Sequence, residues 1–221
     1  MRTLFIIGDS MSAIKREDEK PKTGWGECFG KYLSEGWSIM NMAENGLSTR
    51  RAIDSGIIRS ALSLVEEGDA VLFQFGHNEN KEDDRYSDPW TGFYGNLLQI
   101  GSSFLRKGAS VYFITPIERR RYESGYIMHT HGDYPAAMKA AAARLGVPVI
   151  DMTTETLVRL QAIGEEDSRP LFMLLEPGEH PNYPDGSIDN THFTPPGAEW
   201  ACSLIYSLFM KLGNKPGFLR Q

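Results

Sequence analysis

The feature that most constrains the fold is a series of short, unbroken apolar runs set between longer stretches of helical periodicity. Leu4–Ile7, Ala70–Phe75, Ser110–Ile114 and Val147–Asp151 carry the pattern, and Ser38–Met42 is a weaker member. Runs of this kind, without polar alternation, suit strands covered on both faces. A helical stretch between each pair supplies the crossover that parallel neighbours require. The strands therefore predict one parallel sheet with helices on both sides.

The helices are predicted from Gly24 to Leu33, Arg50 to Leu64, Pro89 to Lys107, Gly132 to Leu145, Thr153 to about Gly164, and Thr194 to about Leu212. In the first of these, Trp25, Phe29 and Leu33 share a face. Ser48 or Thr49 can cap the second, Gly108 and Gly146 can close the third and fourth, and Thr194 can cap the last. The expected architecture is a flavodoxin-like three-layer α/β/α sandwich with a five-stranded parallel sheet, and residues 1–221 form one domain. Lys15 to Lys20 reads as a solvated loop. Residues 176–190, rich in Pro, Gly, Asn and Asp, read as a long irregular one.

The formal net charge of −6 gives no general attraction for nucleic acid or anionic membranes. No apolar run approaches the roughly 20 residues of a bilayer span. The run after Arg2 is too short for a secretory signal, so the expected compartment is the cytoplasm. Cys28 and Cys202 are expected to be buried free thiols. Oligomeric state has no signature in the pattern.

Three predicted strands end in turns with chemical potential: Gly8-Asp9-Ser10, Asn45-Gly46 and Gly76-His77-Asn78. In a parallel sheet all strand carboxyl ends share one edge, so these turns can converge there. Asp189-Asn190-Thr191-His192 precedes the last helix, which can bring His192 over the same edge. A serine hydroxyl needs an adjacent base to act as nucleophile. Histidine suits that task, and a carboxylate can orient its ring. The tetrahedral intermediate needs donors aimed at its oxyanion. The N–H groups of Ser10 and Gly46 and the amide of Asn78 can supply them.

Ile7-Gly8-Asp9-Ser10, Asn45-Gly46, Gly76-His77-Asn78 and Asp189-Asn190-Thr191-His192 resemble, in that order, the four blocks of the SGNH hydrolases, also called GDSL-type esterases. Phe75-Gly-His-Asn78, Asp189-Asn-Thr-His-Phe193 and Gly197-Ala198 are similar to the rhamnogalacturonan acetylesterase branch. The resemblance implies a serine esterase without metal or other cofactor. Ser10 would be the nucleophile, His192 the base and Asp189 its orienting carboxylate. Ser10, Gly46 and Asn78 would form the oxyanion hole. One departure stands out: Glu79 follows Asn78 where the family block has Asp. The Gly-x-Ser-x-Gly elbow of α/β-hydrolases is absent.

The branch implies an acetylated oligosaccharide as substrate, derived from a polymer that carries uronate carboxylates. Arg119, Arg120 and Arg121, just beyond the fourth strand, and Arg50 and Arg51, just after the Gly46 turn, are candidate partners for such carboxylates, and Trp90 is a candidate for stacking on a sugar ring. Three other readings stay open. One is a broad short-chain carboxylesterase or lipase on the same scaffold. Another is a metallohydrolase using His129-Thr-His131-Gly-Asp133. The third is a sugar- or nucleotide-binding domain without catalysis.

Overall fold

A computed structural model describes residues 1–220. Its main sheet is built from β1 (Arg2–Gly8), β2 (Trp37–Asn41), β3 (Ala70–Gln74), β4 (Ser110–Ile114) and, after a small hairpin of β5 (Tyr122–Glu123) and β6 (Tyr126–Ile127), β7 (Val149–Ile150). The order is β2-β1-β3-β4-β7 and every pair is parallel. This is the doubly wound arrangement in which the chain reverses direction of growth beside the first strand.

The central strands are apolar throughout because they feed two cores. Leu4 and Ile6 of β1 enter one core, and Phe5 and Ile7 enter the other. Along β3, Ala70 and Leu72 face the first, while Val71 and Phe73 face the second. The first core is closed by α1 (Trp25–Cys28), α6 (Met152–Ile163) and α7 (Pro195–Met210). The second is closed by α2 (Thr49–Asp54), α3 (Ile57–Leu64), α4 (Tyr94–Arg106) and α5 (Tyr134–Leu145). Phe73 meets Phe104 and Phe113 edge to face in that core. Truncating a ring so placed costs about 3–5 kcal/mol.

Several expectations change in detail. The helix predicted over Arg50 to Leu64 is two helices, because Gly56 takes a left-handed φ of 84° between them. Trp25, Phe29 and Leu33 are buried as a set, but the α-helix ends at Cys28 and a 3-10 turn continues it. Pro89 opens a π-helical turn, Pro89–Phe93, before α4. Both thiols are free; Cys202 is buried, whereas Cys28 is only partly so.

The stretch expected as one irregular loop, 176–190, ends in a strand, whose first four residues it holds. β8 (Phe172–Leu175) and β9 (Ser187–Phe193) form an antiparallel ribbon outside the main sheet. Ser187–Phe193 lacks apolar alternation, so only its partner makes it a strand.

Candidate active site

Ser10 is held at the sheet edge by a close approach of β1 to β3. A Cβ on Gly8 would lie 2.5 Å from the Gln74 carbonyl oxygen and 2.6 Å from Ser12 Oγ, so only glycine permits the contact. Asp9, fully buried, locks the turn. Its Oδ1 accepts from Met11 N at 2.9 Å and its Oδ2 from Gln74 Nε2 at 3.1 Å. Burial, opposed by the Met11 N–H, raises its pKa to about 7.

His192 reaches Ser10 because β9 is interrupted. Phe172 pairs with Phe193, but the next β8 residue, Met173, pairs with Asp189. Asn190, Thr191 and His192 are thus bulged out of the ladder, a device that re-aims side chains beside sites. Asp189 closes the bulge with its own carboxylate. Oδ1 accepts from Thr191 N at 2.9 Å and His192 N at 3.0 Å, and Oδ2 lies 2.7 Å from His192 Nδ1. His192 Nε2 in turn lies 2.9 Å from Ser10 Oγ. Burial would raise the Asp189 carboxyl, but the His192 hydrogen bond and charge outweigh it and hold the group well below the usual carboxylate range.

Gly46 and Asn78 complete the arrangement. Gly46 takes a left-handed φ of 74°, which disfavours a side chain. Among the described residues, no acceptor meets the main-chain N–H of Ser10 or Gly46. Asn78 Nδ2 donates to Leu47 O at 3.0 Å, which leaves its second hydrogen for a ligand. Glu79 organises this corner from beneath. Its Oε1 accepts from Thr49 N at 2.9 Å, and its Oε2 accepts from Gly76 N at 2.9 Å and Asn78 N at 3.2 Å. The longer side chain in the family's Asp position therefore spans from the start of α2 to the Asn78 turn. Burial outweighs these donors and raises the Glu79 pKa to about 7.

A cavity of about 320 Å³ opens over the serine. Ser10, Gly46, Asn78 and His192 line it, together with Lys15, Lys22, Asn45, Arg85 and Glu19. Lys15 overturns its reading as part of a solvated loop. It is buried, and its Nζ donates to Ser10 O at 2.5 Å and Asn45 Oδ1 at 2.6 Å, bracing the nucleophile turn against the Gly46 turn. Lys22 Nζ lies 3.6 Å from Asp189 Oδ2. Neither lysine stood out in the sequence, because the charged stretch from Lys15 through Pro21 to Lys22 has the composition of a surface loop.

Arg119, Arg120, Arg121 and Trp90 are not among the residues lining this cavity. Arg120 is buried and fully engaged. Its side chain donates to Ser168 Oγ, Asn190 Oδ1 and the Glu165 carbonyl, and its N–H donates to Asn190 O at 2.8 Å. Arg119 donates to the carbonyls of Thr130 and His77. Arg121 is exposed and paired with Glu123, and Trp90 Nε1 donates to Asp133 Oδ2 at 2.9 Å. The two inner arginines thus brace the Asn78 turn and the His192 bulge, and neither lines the cavity over Ser10.

The His129-Thr-His131-Gly-Asp133 spacing does not gather its side chains. His129 Nδ1 meets Glu118, His131 Nε2 meets the Ile117 carbonyl at 2.9 Å, and Asp133 meets Trp90. His131 instead packs edge to face on buried His77, with ring centroids 4.5 Å apart. Burial and the neighbouring ring push His77 well below its ordinary pKa, so it is a neutral packing element behind Asn78.

The profile of the GDSL-like lipase/acylhydrolases matches residues 4–205. The chain is 41% identical over 211 residues to rhamnogalacturonan acetylesterase RhgT of Bacillus subtilis (strain 168), covering 95% of this chain and 90% of that protein. It is 31% identical over 212 residues to the probable rhamnogalacturonan acetylesterase YesY of the same organism, covering 95% and 93%. The crystal structure of protein YXIM_BACsu from Bacillus subtilis superposes with a TM-score of 0.83 at 23% identity; the match covers 97% of this chain and 58% of that one, and speaks for the fold. With a profile match over most of its length and a sheet edge built for acyl transfer, the chain belongs to the GDSL-like lipase/acylhydrolase family.

Proposed function

We propose that the protein is a serine esterase that removes O-acetyl groups from acetylated rhamnogalacturonan or its oligosaccharides. The observation that carries the reading is the chain of contacts from Asp189 through His192 to Ser10, at 2.7 Å and 2.9 Å, beside Gly46 and Asn78. The substrate class rests on the rhamnogalacturonan acetylesterases that the chain resembles over nearly its whole length.

In this reading Ser10 Oγ attacks the acetyl carbonyl while His192 Nε2 takes its proton. Asp189 is ionised and stabilises the imidazolium as it forms. Negative charge develops on the former carbonyl oxygen, which receives hydrogen bonds from the N–H groups of Ser10 and Gly46 and from Asn78 Nδ2. The C–O bond to the sugar then breaks, and the sugar oxygen takes the proton from His192. Water, deprotonated by His192, attacks the acetyl-serine; the bond from the acyl carbon to Ser10 Oγ then breaks, Oγ takes the proton back from His192, and acetate leaves.

The test is acetate release from acetylated rhamnogalacturonan oligosaccharides and from p-nitrophenyl acetate, with EDTA present, for wild type and Ser10→Ala. The expected result is turnover of the oligosaccharide that Ser10→Ala loses by several orders of magnitude. Turnover of p-nitrophenyl acetate alone would leave the mechanism and remove the carbohydrate, favouring a broad short-chain esterase. Full activity in Ser10→Ala would overturn the mechanism.

A further inference from the structure

Two guanidinium groups converge beside the oxyanion corner, and the acyl-transfer chemistry uses neither. A Cβ built on Gly46 would lie 3.8 Å from Nη1 of Arg51 and 3.8 Å from Nη1 of Arg85. One arginine comes from α2 and the other from the loop that follows Asn78. Each is gripped from behind by an aspartate of that loop. Asp84 Oδ2 accepts from Arg51 Nε at 2.8 Å, and Asp83 accepts from Arg85 Nε at 2.9 Å and Nη2 at 2.5 Å. Among the described residues, these pairings leave both Nη1 groups without an acceptor. Like charges brought to one point repel unless an anion lies between them.

The position gives the pair its use. Arg85 lines the cavity over Ser10, and Arg51 lines a neighbouring cavity of about 380 Å³. The two cavities share Asn45 and Gly46, so the arginines stand on the seam between them. Lys15 and Lys22 add positive charge on the serine side, against Glu19. Glu44, Asp54 and Asp84 also line the neighbouring cavity, Asp84 as the partner of Arg51. Gly46 matters here too, since a Cβ at that position would touch both Nη1 atoms.

We propose that Arg51 and Arg85 form a carboxylate subsite that receives a uronate carboxylate of the acetylated, acidic oligosaccharide. A carboxylate is planar and offers two oxygens, which suits two guanidinium edges facing one point. The subsite rests on the deacetylase reading for its polymer and adds the residues that read the acid. It also reassigns that role from the Arg119–Arg121 run, whose inner members are occupied within the fold.

The experiment compares acetylated rhamnogalacturonan oligosaccharides bearing free carboxylates with the same oligosaccharides methyl-esterified at the uronates. Wild type, Arg51→Gln and Arg85→Gln are assayed on both, with circular dichroism to verify the fold. The expected result is a wild-type preference for the free acid of about tenfold or more in kcat/KM, expressed in KM. Each variant loses most of that preference, and added salt narrows it in wild type. Indifference of wild type to methyl esterification, or variants that keep the preference, would overturn the subsite. If wild type releases no acetate from either substrate, the deacetylase reading fails and binding decides the subsite. Ser10→Ala is then titrated with deacetylated, galacturonate-containing oligosaccharide, alone and combined with each arginine change. Weaker binding on loss of an arginine supports the subsite, and unchanged or absent binding overturns it.

Discussion

The Lys15 ammonium lies 2.5 Å from the carbonyl oxygen of Ser10, beneath the cavity that the serine opens on. A second bond, to Asn45 Oδ1, ties the same ammonium to the residue before Gly46. Two of the turns that must agree in position therefore share one cation. Lys15→Met is expected to reduce kcat by about tenfold to a hundredfold, as small displacements of reacting groups do. Steady-state kinetics would show the loss in kcat more than in KM, while an unchanged kcat would remove Lys15 from this role.

Glu79 binds three main-chain N–H groups with two oxygens. Glu79→Gln replaces one oxygen by an NH2 group that cannot accept, so at least one buried N–H loses its partner. The expected cost is about 1–3 kcal/mol in stability, measured by urea unfolding. Because one of the donors is Asn78 N, activity is expected to fall with it.

Asp189→Asn preserves shape but changes what the side chain can do for His192. The amide cannot stabilise the imidazolium as a carboxylate does, and its rotation can present the wrong group to Nδ1. A fall in kcat of about a hundredfold to ten-thousandfold is expected. The Asx-type closure of the bulge can persist through the remaining oxygen, so near-native thermal stability is the companion observation.

Arg120→Met tests the reassignment of the arginine run. The buried guanidinium holds Asn190, between Asp189 and His192, and anchors it to Ser168 and Glu165. Its loss is expected to lower stability by about 1–3 kcal/mol and to reduce kcat, with KM for acidic oligosaccharide unchanged. A selective rise in KM would instead return Arg120 to substrate binding.

Stability should fall as pH rises toward neutrality. Burial raises both Asp9 and Glu79 to about 7, so the folded state holds protons that the unfolded chain has already released. Their contribution is fully present below the ordinary carboxylate range and is lost as pH rises through about 7. Asp189 has the opposite sign: its depressed pKa contributes stability that is lost only in strong acid. Calorimetry is expected to show Tm declining from about pH 5 to pH 8, with a flatter profile for Asp9→Asn.

The sheet was legible wherever a strand feeds two cores. Leu4–Ile7 and Val71–Phe73 must be apolar at every position, and that signature needs no partner to be read. β9 was not legible, because Ser187–Phe193 becomes a strand only by pairing with β8, and its bulge exists to aim His192. Ser10, Gly46, Asn78, Asp189 and His192 could be named from strand-end turns and motif order. Arg51 could be named as a candidate carboxylate partner from its place just after the Gly46 turn, but Lys15 and Arg85 could not, since charged residues in polar surroundings read as solvent-facing until the fold shows what their far ends reach. The same ambiguity misplaced Arg119 and Arg120. A cation near a strand end can serve a ligand or a carbonyl, and only Asn190 and His77 decide which.

The bulge that carries His192 has a consequence for how the molecule comes apart. Asn190, Thr191 and His192 have left the β8–β9 ladder and are tied instead by the Asp189 carboxylate and by Arg120. Segments held by few backbone bonds open with less free energy than the core strands around them. The amides of Thr191 and His192 are therefore expected to exchange with deuterium well before those of β1 and β3. In mild denaturant, hydrolysis should cease while the sheet is still intact, so that inactivation and global melting occur as two separate events.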